Sequence, residues 1–234
     1  VSFCGVDMGT KKVSEIKSKK LFDYDLGLNK LIVGTDEAGR GCGAGGVFAA
    51  AVCFNSVSDD LIKKLSILND SKKLSKKHRE EIFYTIKSET INSVVCIDVE
   101  EIERINILNA SLKAMNIACS NVISQLQHEL KDKELQVLVD GNKLIKNFEY
   151  PQQFIVKGDA TSASIAAASI LAKVSRDRYM DRLDEEFPQY KWNENAGYLT
   201  KEHMALIDKY GLSPYHRPSY LRKHFAKQEQ LSLF

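Results

Sequence analysis

No stretch of the chain approaches the roughly 20 consecutive apolar residues a membrane span requires. Its first twenty residues, VSFCGVDMGTKKVSEIKSKK, hold no apolar stretch of the secretory kind. The expected location is therefore the cytoplasm. There is also no CxxC pair. Cys4, Cys42, Cys53, Cys96 and Cys119 are odd in number and widely spaced, which argues against both a zinc cluster and a disulfide framework and fits a reducing compartment. Net charge is almost absent, at +2 from 33 basic and 31 acidic residues, so any attraction for a polyanion must come from local clusters. No internal repeat is visible.

What is present is an ordinary globular composition, 234 residues with 44% apolar and 27% charged, enough for one good core plus an appendage. LIVGTDE and VFAAAVCF flank a glycine turn and read as strand-turn-strand, with SVVCIDVE, residues 93 to 100, as a third strand. Apolar residues at spacings of three and four from Asn106 to Leu130 predict a long amphipathic helix. LQVLVDGN reads as a buried strand ending at Asp140, and FIVKGD as a short strand ending near Asp159. ATSASIAAASILAKVSRDRYMDRLDEEF has no breaker before Pro188 and predicts a helix with a small-residue face. TKEHMALIDKYG predicts a helix capped by Thr200 and closed by Gly211. The expected fold is α/β, a mixed sheet flanked by helices with a C-terminal helical appendage. Its divisions are a leader at 1–28, a catalytic domain at 29–188, a helical subdomain at 189–225 and a tail at 226–234.

The glycine turn contains a literal GxGxxG, Gly41 to Gly46, the pattern of a dinucleotide cradle. That reading needs a helix directly after the glycines, where VFAAAVCF reads as a strand. It also leaves Asp36 and Glu37 unexplained, since acids at a phosphate cradle repel the phosphate. Asp36, Glu37, Asp140 and Asp159 each stand at a strand end or a helix start, where α/β sheets collect their sites. If they converge, like-charge repulsion calls for a cation, and all-oxygen ligands select Mg²⁺ or Mn²⁺. Taken singly, Asp159 reads equally well as a helix cap, and Asp140 before Gly141 as turn chemistry. The adjacent pair Asp36–Glu37 reaches one site only if the pleat breaks, and Gly39 offers the break.

The pieces GTDEAGRG, DSKKLS, NILNASLKAM, VDGNKL, KGDATSASIAAASILAKVSRDR, GYLTKEH and HRPSY resemble, in order and spacing from about residue 31 to 220, the ribonuclease HII family. The resemblance implies an RNase H-like fold, a metal-dependent endonuclease acting on the RNA strand of RNA/DNA hybrids and 5′ of single ribonucleotides in duplex DNA, and thus ribonucleotide repair and primer removal by a monomer. It implies that Asp36, Glu37, Asp140 and Asp159 are the metal-binding acids. By the same resemblance the Gly39-Arg40-Gly41 loop meets the ribose 2′-hydroxyl, and Tyr198 stacks at the RNA-to-DNA junction. Ser71, Lys72, Lys73, Lys143, Lys157 and Arg176 are candidates for phosphate contact, with His216-Arg217 reading as either phosphate contact or a surface turn. After the GRG triplet the family usually carries a proline, a bulky residue and a second proline where this chain has Cys42, Gly43 and Gly46, so a more flexible loop is expected. The last five residues, Gln230, Leu231, Ser232, Leu233 and Phe234, resemble the motif with which bacterial repair proteins dock on the polymerase sliding clamp. A nuclease or strand-transfer enzyme of the same fold acting on DNA alone shares the metal chemistry and stays open at this stage.

Overall fold

The computed structural model describes residues 18–231 apart from His128 and Asp132. The leader reading over 1–17, and Ser232, Leu233 and Phe234 of the tail, lie outside the described residues. For Gln230 and Leu231 only the backbone is described, at the end of the last helix.

The two apolar runs around the glycine turn form β1 (Leu31–Ala38) and β2 (Val47–Cys53), paired antiparallel with Asp36 opposite Ala50. A strand, not a helix, follows the glycines, which removes the dinucleotide cradle. β3 (Ile91–Ile97) lies antiparallel on β2. On the other side of β1 run β4 (Leu135–Asp140) and β5 (Gln152–Ile155), both parallel, with Thr35 opposite Val139 and Asp140 opposite Ile155. The sheet order is β3-β2-β1-β4-β5.

Helices cover both faces. α1 (Lys19–Gly27), α2 (Asp59–Lys64) and α3 (Lys76–Glu89) lie before β3; α4 (Val99–Ile105) and α5 (Ile107–Gln125) follow it; α6 (Ala163–Glu186) follows β5. Odd-numbered Val33, Ala49, Ala51 and Val137 point into one core with α5, whereas even-numbered Ala50 and Val52 point into the other with α6. Asp36 and Asp140 are even-numbered, so both fall on the α6 side of adjacent strands. The alanines of α6 let it lie almost on the sheet. A Cβ on Gly34 would stand 2.3 Å from the backbone nitrogen of Ile165, so only glycine fits there.

Two sequence expectations need correction. Residues 18–28, assigned to the leader, form α1, whose Leu21 and Phe22 join the α6-side core. The buried Asp25 carboxylate accepts from the Ser164 N–H at 2.8 Å and its hydroxyl at 2.7 Å. The third strand stops at Ile97 because the Asp98 side chain accepts the Glu101 N–H and starts α4. The appendage comprises α7 (Trp192–Asn195), α8 (Lys201–Tyr210) and α9 (Pro218–Leu231). Its core of Tyr190, Trp192, Ile207 and Leu221 is shared with Ala44 of the glycine turn and with Met180 and Leu183 of α6. It is therefore built onto the site. Among the described residues no helix is long and apolar enough to cross a membrane.

Candidate active site

The ends of β1 and β4 meet at a cleft of about 220 Å³ lined by Asp36, Glu37, Asp140, the Gly39-Arg40-Gly41 loop and Tyr198. Register explains the convergence. Thr35 is opposite Val139, and the next residue on each strand is an aspartate. Asp36 is only 6% exposed, and its Oδ1 accepts the Glu37 N–H at 2.7 Å. Burial, then the charges of Glu37 and Asp140, push the Asp36 carboxyl well above the usual carboxylate range. Glu37 is raised too, chiefly by burial and against the pull of Arg40, whose Nη1 lies 3.2 Å from Glu37 Oε1. Glu37 also bonds Ser111 of α5, as its odd-numbered side of the strand dictates.

Asp140 has a second task. Its Oδ1 accepts the Gly158 N–H at 2.7 Å and so fastens the single turn Gly158–Ala160 that carries Asp159. Asp159 is buried beside the cleft rather than in its wall, and burial, then the charges of Asp70 and Asp140, push it up to about 6. It does not cap α6, because the Ser162 hydroxyl accepts the Ile165 N–H in that role. Asp70 is an acid the sequence reading missed. It caps the turn Ser71–Lys73 by accepting the Lys72 N–H, a local pattern that masks its proximity to Asp159.

Among the described residues, no group of three or more His, Cys, Asp or Glu side chains is drawn together closely enough to hold an ion as it stands. The donor set nevertheless fits a hard dication: three carboxylates in one cleft, each an oxygen donor, with Asp36 raised by the charges of the other two. A bound dication offsets that repulsion. Protons compete for the same oxygens, and Asp159 holds its proton up to about pH 6. Apparent Mg²⁺ affinity, measured by calorimetry, should accordingly fall below pH 6 by about tenfold per pH unit for each proton displaced. Affinity flat from pH 7 to 5 would remove Asp159 from the ion's surroundings.

The loop is not loose. Gly43 and Ala44 donate to Gly197 O at 2.9 and 3.2 Å, and Gly45 donates to Tyr215 O at 2.8 Å. A Cβ on Gly43 would collide with Leu199, and one on Gly46 with Cys96 and the Ile97 carbonyl. The glycines are demanded by close packing, which corrects the expectation of flexibility. Gly39 and Gly45 both occupy the left-handed region, at φ 98° and 79°, with Arg176 against the first and Met180 against the second.

The basic candidates divide. Lys72 and the buried Ser71 both line the cleft, and Ser71 takes the Ser169 hydroxyl at 2.7 Å. Lys73 lies 3.9 Å from Asp70, while Lys143 and Lys157 are exposed and outside the cleft wall. Arg176 is 1% exposed and donates through Nη1 and Nη2 to Ala196 O and Ala44 O. Only its Nε lacks a partner among the described residues. His216 and Arg217 are also buried, so neither the phosphate reading nor the surface-turn reading survives for them. Arg217 instead donates to Gly39 O at 2.9 Å and to Gly45 O at 2.9 and 2.6 Å. Lys173 was missed. It lines the cleft, and its position between Ser169 and Arg176 on one helical face was the available signal.

Opposite the loop, Tyr198 is 49% exposed, and a Cβ on Gly41 would lie 3.9 Å from its ring. A half-open aromatic, a backbone loop and clustered carboxylates at adjacent strand ends define a metal-dependent nuclease of RNase H-like architecture. The ribonuclease HII family model matches residues 33–228. The ribonuclease HII of Rickettsia akari (strain Hartford) is 47% identical over 192 residues, 82% of this chain and 92% of that one. The ribonuclease HII of Pelagibacter ubique (strain HTCC1062) is 45% identical over 191 residues, 82% and 96% of the two chains. Among solved structures, that of the PCNA:RNase HII complex from Archaeoglobus fulgidus superimposes with a TM-score of 0.61 at 25% identity, over 80% of this chain and 93% of that one. The chain belongs to the ribonuclease HII family. It is an endoribonuclease of the ribonuclease H type and depends on a divalent metal.

Proposed function

We propose that this enzyme incises duplex DNA on the 5′ side of an embedded ribonucleotide, and the RNA strand of hybrids, leaving 3′-hydroxyl and 5′-phosphate ends. The observation that carries the reading is the shared cleft of Asp36, Asp140, the Gly39-Arg40-Gly41 loop and Tyr198. Asp36, Glu37 and Asp140, with Asp159 beside them, hold Mg²⁺ or Mn²⁺. When bound, such ions supply an activated water and neutralise the leaving oxygen. The backbone of Gly39-Arg40-Gly41 approaches the 2′-hydroxyl, the one group that separates RNA from DNA, where a side chain would clash. The Tyr198 ring packs on the following sugar and favours a deoxyribose. Lys72 and the half-buried Lys173, which also donates to Asp177 at 2.6 Å, meet the flanking phosphates.

Gln230, Leu231, Ser232, Leu233 and Phe234 are read as a clamp-docking tail. The complex of the Archaeoglobus fulgidus relative with its clamp supports a tethered enzyme, acting in the cytoplasm as a monomer. The test of the activity is a duplex carrying one ribonucleotide, run beside an all-DNA duplex and a chelator control. Nicking confined to the ribonucleotide strand, abolished by chelator and by Asp140→Asn, is the expected result. Equal cutting of the all-DNA duplex would end the ribose-reading proposal and restore the DNA-only nuclease.

A further inference from the structure

Behind Tyr198 lies a buried histidine pair that the chemistry above does not use. His203 of α8 and His216 are 0% and 1% exposed, and their Nε2 atoms are 3.1 Å apart. Their protons can be assigned from the partners. The Ser213 N–H donates to His216 Nδ1 at 2.9 Å, so Nδ1 accepts and the neutral ring carries its hydrogen on Nε2. Trp192 Nε1, which can only donate, lies 3.2 Å from His203 Nε2. That nitrogen therefore accepts, from Trp192 and from His216 Nε2–H together. His203 Nδ1 must then hold the proton, and it faces Tyr198 O at 2.9 Å. Burial lowers both histidines, His216 to about 4, in keeping with the neutral assignment.

Resting on the reading of Tyr198 as the sugar-facing ring, we propose that His203 and His216 are positioning residues. Their one-way relay, from the Ser213 N–H through both imidazoles to the Tyr198 carbonyl, anchors the backbone that presents the ring. The adjoining Arg217 donates to Gly39 O and Gly45 O. One dipeptide of the appendage thus ties both ribose-reading elements, loop and tyrosine, to a common frame. Without the relay, the Tyr198 carbonyl keeps the Thr200 N–H at 2.8 Å and loses its only side-chain donor among the described residues.

Two substitutions separate positioning from mere support. His203→Gln places an oxygen where Trp192 and His216 donate but has no donor at Nδ1. His203→Asn keeps a donor toward Tyr198 O and deserts Trp192 and His216. The relay requires crossed results. Gln should melt closer to wild type than Asn does, yet it should speed amide exchange at Tyr198 and Thr200 about five- to tenfold, the effect of one lost hydrogen bond. It should also lower the preference for a single ribonucleotide over a uniform hybrid, read as the ratio of kcat/KM values, by a similar factor. Asn should keep both exchange and preference within about twofold of wild type at the assay temperature.

Combining His203→Gln with Tyr198→Ala should lower the preference no further than Tyr198→Ala alone. Unchanged exchange in folded His203→Gln, or losses that track stability rather than the donor, would overturn the relay. If Tyr198→Ala leaves the preference intact while His203→Gln still speeds exchange, the sugar-reading role of Tyr198 fails and the relay stands.

Discussion

Asp36→Asn should silence cleavage by about a thousandfold or more and, in metal-free protein, raise the melting temperature. Both effects have one cause. Asp36 is 6% exposed and shares its cleft with Glu37 and Asp140. Its folded-state pKa lies well above the ordinary value through burial and those neighbours. A group raised in this way contributes stability that is fully present below its unfolded pKa and lost as pH rises through its folded pKa. At neutral pH, above the unfolded value, this carboxyl therefore works against the fold.

Asparagine keeps the oxygen that accepts the Glu37 N–H, keeps the volume and drops the charge. Relief on the order of 1 kcal/mol corresponds to a rise of about 2–4 °C for a chain of this size. The same charge is what a dication needs, and losing several kcal/mol of charge stabilisation at the reacting phosphate accounts for the rate. Saturating Mg²⁺ should narrow the gap in melting temperature or reverse it, because the ion stabilises only the folded protein that binds it. Melting curves with and without metal, beside a nicking assay, decide the matter. A variant that melts lower without metal, or cuts within tenfold of wild type, would mean that Asp36 is a structural residue.

Arg217→Met should destabilise the protein by about 3 kcal/mol or more, a fall of roughly 6–12 °C in melting temperature. The guanidinium is fully buried, and burial lowers its pKa. Its hydrogen-bond acceptors among the described residues are backbone oxygens: Gly39 O at 2.9 Å, Arg40 O at 3.3 Å and Gly45 O at 2.9 and 2.6 Å. Two effects compete on substitution. Removing a buried charge is favourable in itself, though less so for the weakly hydrated guanidinium than for an ammonium. Against it, Gly39 O and Gly45 O lose this donor inside the protein at about 1–3 kcal/mol each, while the Tyr220 hydroxyl still serves Arg40 O.

The loss should dominate. Arg217→Lys should recover only part of it, since a single ammonium cannot span carbonyls that a planar fork reaches together. Urea denaturation with an unchanged slope measures the cost. A midpoint equal to that of wild type would show that the loop supports itself. Below its melting temperature the Met variant should also cut an all-DNA duplex relatively better, because the Gly39-Arg40-Gly41 loop has lost its anchor.

Much of the scaffold was readable from periodicity. β1, β2 and β4 announce themselves as apolar runs bounded by Gly and Asp, and α8 by Thr200 before it and Gly211 after it. α1 was not readable, since its Leu21 and Phe22 sit in a lysine-rich stretch of weak amphipathicity, and only contact with α6 gives them a core to enter. The acids were visible as residue types at strand ends. Lys173 and Ser169 share one face of α6, but nothing in the sequence marks that face as a cleft wall. His216 and Arg217 were misread, because a basic residue is usually on the surface, and nothing local announces a backbone carbonyl from a segment far away in the chain.

The sequence by itself determined most of the strands and helices, which of their side chains share a face, and that four acids stand at the ends of elements, because periodicity, caps and turn chemistry act within a few residues. Tertiary structure decided that β1 and β4 lie side by side in a register that sets Asp36 and Asp140 on one face. It also turned three basic residues inward to hold the glycine loop and Tyr198 against each other. Those outcomes depend on contacts between segments about 20 to 180 residues apart, where burial and hydrogen-bond satisfaction, not local preference, choose the partner.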